Sequence, residues 1–174
     1  MGKSERKNGW KEWTKAILIA ILIAFVLRSF VFVTSVVDGE SMEPTLENGE
    51  TVLFNKLTYL FNEPERGDIV IINRPQKNYV KRVIALPGET VAVKNQTLYI
   101  DGEPYDQSFI TDNELNNTGQ FGPIQIPENS YFVMGDNRKL SKDSRNGLGF
   151  ISEENITGKS EFIIFPFNEW SMIK

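Results

Sequence analysis

The sequence predicts a mainly β fold, a folded antiparallel or barrel-like sheet with a small cap, preceded by one N-terminal transmembrane helix. Three observations support this prediction. Short apolar or alternating runs separated by turn residues fill the chain after residue 36. One long apolar run stands near the N-terminus, and no second run approaches its length. The 174 residues are 40% hydrophobic and 24% charged, which is typical of one ordered principal domain.

The N-terminal segment is basic, whereas the rest of the chain is acidic. Five basic and two acidic residues give residues 1–15 a formal charge of +3, although the whole chain carries −4. Residues 29–174 contain 13 basic and 21 acidic side chains, a formal charge of −8. Binding to a phosphate backbone needs clustered positive charge, so nucleic acid is not an expected partner.

The apolar run covers residues 16–33, about 27 Å as a helix, which is just enough to cross a bilayer. Arg28 lies near the outer end, where its side chain can snorkel, while Trp10 and Trp13 lie on the basic side as interfacial anchors. The positive-inside rule then predicts a cytoplasmic segment 1–15, an anchor 16–35 and an extracytoplasmic domain 36–174. A cleaved signal peptide is the alternative, but no A-x-A pattern follows the run.

Seven short runs after the anchor are predicted to be strands because they are rich in β-branched and aromatic residues and are bounded by turn clusters. They cover residues 50–57, 67–74, 78–86, 89–95, 97–102, 130–136 and 159–165. The polar, turn-rich stretch 111–130 lacks periodicity and is expected to belong to a small cap around residues 95–128.

Composition restricts the chemistry that is possible. The chain has no cysteine and no histidine, so it has no disulfide, no thiolate nucleophile and no imidazole base, and neither a metal nor a cofactor is expected. In "VVDGESMEPTLENGE", Ser41 stands between Gly39, which permits close backbone approach, and Pro44, which restricts the preceding residue to extended geometry. Ser41 is either part of a membrane-exit turn or a nucleophile activated by a base other than histidine.

A lysine that an apolar environment keeps neutral can serve as that base. Four lysines lie between Ser41 and Gly135, and only Lys81 stands within an apolar strand pattern, "YVKRVIALPGE". Strand alternation predicts that residues 81, 83 and 85 share one face and residues 82, 84 and 86 the other. The competing interpretation is a solvent-facing lysine on an edge strand.

Three motifs follow one another along the chain: "SMEPTL" from Ser41, "KRVIALPGE" from Lys81 and "GDNRKLSKDSR" from Gly135. Together with the anchor, they resemble the bacterial type I signal peptidases, in particular compact Gram-positive-like members. The resemblance implies that Ser41 is the nucleophile, that Lys81 is the general base, and that Ser141 supplies a hydroxyl that orients the lysine. It also implies supporting polar roles for Asp136, Asp143, Arg82 and Arg145. The alternative is that these polar residues simply satisfy a polar loop.

The sequence departs from that family pattern at two places. Gly39 replaces a hydroxyl residue that many relatives have two places before the nucleophile, so the Ser41 backbone N–H is the expected oxyanion donor. Lys139 and Leu140 replace a more usual polar pair before Ser141.

The implied activity is that of a membrane-bound serine endopeptidase that removes N-terminal signal peptides from secreted preproteins with small residues at the first and third positions before the cut. The expected location is the cell membrane, single-pass, with the lipid bilayer as a second partner and Met42 resting against it. Two alternatives remain open: a self-cleaving Ser/Lys protease of related fold, and a non-enzymatic membrane-anchored β domain that binds peptides.

Overall fold

The computed structural model describes residues 9–26, 31–166 and 171–172, and it confirms the mainly β fold class. Helices in these ranges are α1 (Gly9–Val26), α2 (Thr58–Phe61) and α3 (Asp112–Asn117), and Glu153–Asn155 forms a 3-10 turn. The strands are β1 (Phe32–Val36), β2 (Thr51–Asn55), β3 (Ile69–Ile72), β4 (Tyr79–Ala85), β5 (Thr90–Lys94), β6 (Thr97–Ile100), β7 (Glu103–Tyr105), β8 (Phe121–Gln125), β9 (Ser130–Met134), β10 (Ile151–Ser152), β11 (Ile156–Phe165) and β12 (Ser171–Met172).

These strands form two antiparallel sheets. The larger, curled sheet has eight strands in the order β1-β2-β11-β3-β4-β9-β10, with β12 paired to β11. The smaller sheet has four strands in the order β7-β6-β5-β8. The chain leaves the larger sheet after β4 and returns to it at β9, so the smaller sheet and α3 form one insertion between these two strands. This insertion is the cap that the sequence placed around residues 95–128, and its first strand already begins at Thr90.

The N-terminal region differs from the predicted anchor in its boundaries. Helix α1 begins at Gly9, within the basic segment, and Phe32–Val36 forms β1 where the anchor was expected to continue to residue 35. The end of the anchor prediction is wrong because these residues pair with β2 in the larger sheet. Residues 1–8 and 27–30, the latter including Arg28, lie outside the described residues. Within the described ranges, no helix has both the length and the apolar character needed to cross a membrane.

Two details of the sequence interpretation are also wrong. Met42 was expected to rest against the bilayer, but its side chain is only 1% exposed and packs in a cluster with Leu46 and Phe54. Strict alternation along β4 fails after Val83, because a register shift against β9 interrupts the pairing there. The shift allows the adjacent residues Ile84 and Ala85 to join the same hydrophobic cluster.

The hydrophobic cluster between the two sheets attaches the cap to the main sheet. It combines residues of β4 and β9 with residues of β5 and β6, and Phe132 of β9 stacks on Phe121 of β8 with ring centroids 5.6 Å apart. Phe132 is fully buried in this cluster. Burial of apolar surface therefore holds the cap, and no disulfide contributes because the chain has no cysteine.

We expect Phe132→Ala to lower the free energy of unfolding by about 3–5 kcal/mol, because it removes a buried ring and leaves a cavity between the sheets. Phe61→Ala is the matched control, since Phe61 is 83% exposed and its truncation should change stability by less than about 0.5 kcal/mol. Denaturant unfolding of both variants measures the difference, and equal stabilities would contradict the packing described here.

Candidate active site

Ser41 is held at the rim of the larger sheet by a turn whose neighbouring side chains are buried. Met42 and Leu46 pack into the core, and the Leu46 N–H donates to the Met42 carbonyl at 3.0 Å. Gly39 adopts a φ of +101°, which glycine tolerates without the steric penalty of a side chain, and its N–H donates to Asn48 Oδ1 at 2.9 Å. The serine is thereby half-buried on a turn that is fixed on both sides.

Lys81 meets this serine from β4, a strand in the interior of the sheet order. Its Nζ lies 2.6 Å from Ser41 Oγ and donates to the Val80 carbonyl at 2.7 Å. The residue is only 2% exposed, so the alternative of a solvent-facing lysine on an edge strand is wrong. These two contacts suit a neutral amine, which can donate one N–H to the carbonyl and direct its lone pair at the serine hydroxyl.

Burial lowers the pKa of Lys81 from its ordinary value of 10.5 to about 8. Desolvation is the dominant cause because it disfavours the charged ammonium form. The carboxylates of Asp143 and Asp136 oppose the shift, while the positive charge of Lys77 adds to it. At neutral pH about one tenth of the lysine is then in the form that can accept a proton, far more than at the ordinary pKa.

Asp136 is completely buried and is neutralised by Arg82 of β4. Arg82 Nη2 lies 2.7 Å from Asp136 Oδ2, and its Nε donates to Oδ1 at 3.0 Å. The hydroxyl of Thr45, four residues after Ser41, donates to the same carboxylate at 2.6 Å. Removing one partner of such a buried pair strongly destabilises the folded protein, because the other charge remains buried without a partner.

Asp143 forms the second buried carboxylate of the site. Arg145 Nη2 lies 2.8 Å from its Oδ2, and the Gly135 N–H donates to the same oxygen at 3.0 Å. Burial raises the pKa of Asp143, but the hydrogen bonds and charge of Arg145 and the Gly135 N–H outweigh burial and lower it overall. The carboxylate is therefore ionised and fixes the end of β9 beside Ser41.

Ser141 lies beside the dyad without the hydrogen bond to Lys81 that the family resemblance implies. Its hydroxyl is buried, and Oγ has no hydrogen-bond partner of good geometry among the described residues, although it lies near enough to Asp143 to lower the pKa of that carboxyl. The orienting role of Ser141 therefore stays a prediction.

Gly135 is the point where the loop that carries Asp136, Ser141 and Asp143 passes Ser41. A Cβ built at this position would collide with the carbonyl oxygen of Ser41 and with the Ser141 side chain. The next contact along the loop joins the same two segments, because the Asn137 N–H donates to the Ser41 carbonyl at 3.2 Å. The close approach of the two backbones explains why a glycine is needed here.

The six site residues of the sequence prediction other than Ser141 form direct contacts with one another here, whereas two further contributors were missed. Thr45 lies in the quoted "SMEPTL" motif, where a second hydroxyl beside Ser41 was an available signal. Arg138 is buried, and its Nε donates to the Gly135 carbonyl at 3.0 Å. No local signal distinguishes this arginine from the exposed Lys139 beside it.

A cleft of about 500 Å³ leads to the dyad. Residues 35–42 form one wall, residues 77–81 form the other, and Leu140 and Lys142 also line it. Strand β4 pairs with β3 from Tyr79 to Arg82 but with β9 only from Arg82 onward, so residues before Arg82 have one edge without a strand partner among the described residues. The cleft is therefore bordered by extended backbone.

The two departures from the family pattern have different consequences. Gly39 offers no side-chain donor. The Ser41 N–H, however, donates to no acceptor among the described residues, so it can donate to an incoming oxygen. Lys139 and Leu140 are both exposed, so the loop accommodates them at the surface.

Gly135→Ala is expected to reduce activity at least about a hundredfold, because displacing Ser41 by a fraction of an ångström disrupts the alignment of the reacting groups. Gly9→Ala is the control, since a Cβ there contacts nothing. Turnover and thermal unfolding of both variants provide the measurements. Full activity of a folded Gly135→Ala variant would show that the two backbones are not held as described.

Comparison with known proteins is consistent with this geometry. Residues 10–165 match the family described as signal peptidase, peptidase S26. A signal peptidase I of Bacillus licheniformis is 47% identical over 175 residues, covering 95% of this chain and 94% of the relative. Signal peptidase I S of Bacillus subtilis is 46% identical over 172 residues, covering 94% of each chain.

A more distant relative, signal peptidase IB of Staphylococcus aureus, is 37% identical over 175 residues and 91% of each chain. Among solved structures, a signal peptidase I from Enterococcus faecalis has a TM-score of 0.49 and 34% identity, covering 56% of this chain and 97% of that chain. Because the family match spans most of the sequence and the relatives align over nearly their whole length, the chain belongs to the S26 family of signal peptidases.

Proposed function

We propose that this chain is a membrane-bound serine endopeptidase that removes N-terminal signal peptides from secreted preproteins with a dyad of Ser41 and Lys81. The observation that carries the proposal is the 2.6 Å contact between Ser41 Oγ and a buried Lys81 Nζ. A chain without histidine needs another base, and this lysine is the basic group in contact with the serine hydroxyl.

In the first half of the reaction, neutral Lys81 accepts the proton of Ser41 as Oγ attacks the carbonyl carbon of the scissile peptide bond. The negative charge that develops on the carbonyl oxygen is stabilised by the Ser41 N–H. Protonated Lys81 then delivers its proton to the leaving nitrogen, and the C–N bond breaks. The result is an ester between Ser41 and the signal peptide, with the mature protein released.

In the second half, Lys81 removes a proton from a water molecule, and the resulting hydroxide attacks the ester carbonyl. The ester bond breaks, Lys81 returns the proton to Ser41 Oγ, and the signal peptide leaves as a carboxylic acid that gives its remaining proton to the solvent. Asp136 and Asp143 hold the loop in place through both halves, because each carboxylate is bound by an arginine.

The cleft supports a preprotein segment bound in extended form. Exposed strand edges recognise peptides through main-chain hydrogen bonds, and pockets beside them select alternate side chains. Residues 35–42 and 77–81 supply two such walls that converge on Ser41 and Lys81. The preference for small side chains at the first and third positions before the cut is part of the proposal because the family resemblance implies it.

Two apolar surfaces support the bilayer as a second partner, with the N-terminus cytoplasmic and the β domain outside. Side chains of α1 are exposed and apolar, among them Ile17, Leu22 and Phe25. Leu60 and Phe61 of α2 are 70% and 83% exposed, and α2 packs against β11. An exposed apolar tip of this kind suits a membrane surface better than water.

Ser41→Ala, Lys81→Met and Lys81→Arg are each expected to abolish cleavage of a preprotein added in trans while leaving the fold intact. Alanine has no nucleophile, methionine has no basic nitrogen, and arginine stays protonated. Ser108→Ala, which changes an exposed serine, should cleave at the wild-type rate. If the wild type cleaves only itself and the variants lose that self-cleavage, the self-cleaving alternative is correct. If the wild type cleaves neither itself nor the preprotein, the chain is a binding domain.

The wild-type rate should rise with pH through about 8, because deprotonation of Lys81 creates the active base. Initial rates between pH 6 and 10 test this, and a rate independent of pH in that window would exclude Lys81 as the titrating group. Comparable turnover by Lys81→Met, free of wild-type enzyme, would exclude it as the base.

Protease added outside intact cells is expected to digest the β domain and to leave an N-terminal epitope tag protected, because the basic end of the chain stays in the cytoplasm. Permeabilised cells serve as the control, since both parts should then be digested. A protected β domain would reverse the orientation and contradict the proposed location.

A further inference from the structure

Helix α3 of the cap is hydrogen-bonded to the loop of residues 135–146, which carries the polar side chains of the active site. Glu114 Oε2 accepts from the backbone N–H of Arg138 at 2.6 Å. Thr118, at the end of α3, accepts from both arginines of the loop: its Oγ1 from Arg138 Nη1 at 3.2 Å and its carbonyl from Arg145 Nη1 at 2.9 Å. The cap thus contacts the active site through polar groups.

Apolar burial does not explain the position of α3. The helix has six residues, none of them is buried, and Thr111 at its start makes no side-chain capping bond. A helix this short is unstable in isolation, so contacts outside the helix must hold it. The contacts to Arg138 and Arg145 are the ones that connect it to the catalytic part of the molecule.

The backbone of Arg138 directly follows the residue that is hydrogen-bonded to Ser41. Its side chain donates through Nε to the Gly135 carbonyl, and its own carbonyl accepts from Arg145 Nη2 at 2.8 Å. The preceding residue, Asn137, donates its N–H to the Ser41 carbonyl. A shift of the Arg138 backbone would therefore move the segment that holds Ser41.

Arg138, whose backbone N–H Glu114 binds, differs from the other arginines of the site. Arg82 and Arg145 pair with the fully buried carboxylates of Asp136 and Asp143. Arg138 is 2% exposed, and its Nη2 has no partner among the described residues. The half-buried Glu114 holds this residue through its backbone N–H.

We propose that Glu114 is a positioning residue for the Ser41–Lys81 dyad, acting through the Arg138 backbone N–H. This inference rests on the proposed function, since it concerns the geometry of that reaction. Glu114 is not one of the residues that line the substrate cleft. Its removal should therefore impair the chemical step and leave preprotein binding unchanged.

The test compares Glu114→Ala, Glu114→Asp and Glu114→Gln with wild type in preprotein cleavage. Glu114→Ala loses the acceptor and Glu114→Asp is one methylene too short to reach Arg138, so both should lower kcat about tenfold while KM changes less than twofold. Glu114→Gln retains an acceptor oxygen and should stay within about threefold of wild type. Asp112→Ala is the control, because Asp112 is also an acidic residue of the first turn of α3 but is exposed.

Hydrogen exchange of the backbone amides gives a readout that is independent of cleavage. Exchange at Arg138 and Asn137 should accelerate at least about tenfold in Glu114→Ala and remain near wild type in Glu114→Gln and Asp112→Ala. Unchanged exchange and unchanged kcat in Glu114→Ala would overturn the inference, as would an equal loss in Asp112→Ala. Absence of cleavage by wild type would refute the proposed function, while the exchange rates would still decide whether Glu114 holds the loop.

Discussion

The proposed active site depends on keeping one amine uncharged in the company of two carboxylates. Burial of Lys81 favours the neutral form, whereas Asp136 and Asp143 favour the ammonium form. Arg82 and Arg145 each bind one of these carboxylates, which offsets much of the negative field that the lysine would otherwise experience. The sheet makes this possible by placing Lys81 and Arg82 next to each other on an interior strand, one directed at the serine and the other at Asp136.

The sequence was most informative where the chemistry allowed few alternatives. A chain without histidine or cysteine restricts the activation of a serine to a small set of bases, and only one lysine of the central region stands in an apolar strand pattern. The strands with strong β-branched patterns were predicted for the same reason, since their residues suit a half-buried pleated surface. The three motifs are far apart in the chain, and the antiparallel pairing of β4 with β9 brings the last two together.

The remaining features depend on contacts between distant segments, which local patterns do not encode. Strand β1 was assigned to the anchor because apolar, β-branched residues suit a membrane helix and a strand equally well. The burial of Met42 follows from where the turn packs, and the interrupted alternation in β4 follows from its register against β9. The link from Glu114 to Arg138 joins the cap to the catalytic loop across 24 residues, in a stretch without any periodicity.

Before Arg82, one edge of β4 has no strand partner in the described part of the chain, which affects the shape that a bound chain must adopt. Backbone groups within a helix are already bonded to one another and offer nothing to a strand edge, so a helical segment is rejected there even if its side chains fit. A chain that fills the cleft alongside residues 35–41 must be extended over roughly 23 Å, at about 3.3 Å per residue. In the proposed mode of binding, local unwinding is thus a condition of recognition, and the cleft selects for a flexible backbone before it discriminates among side chains.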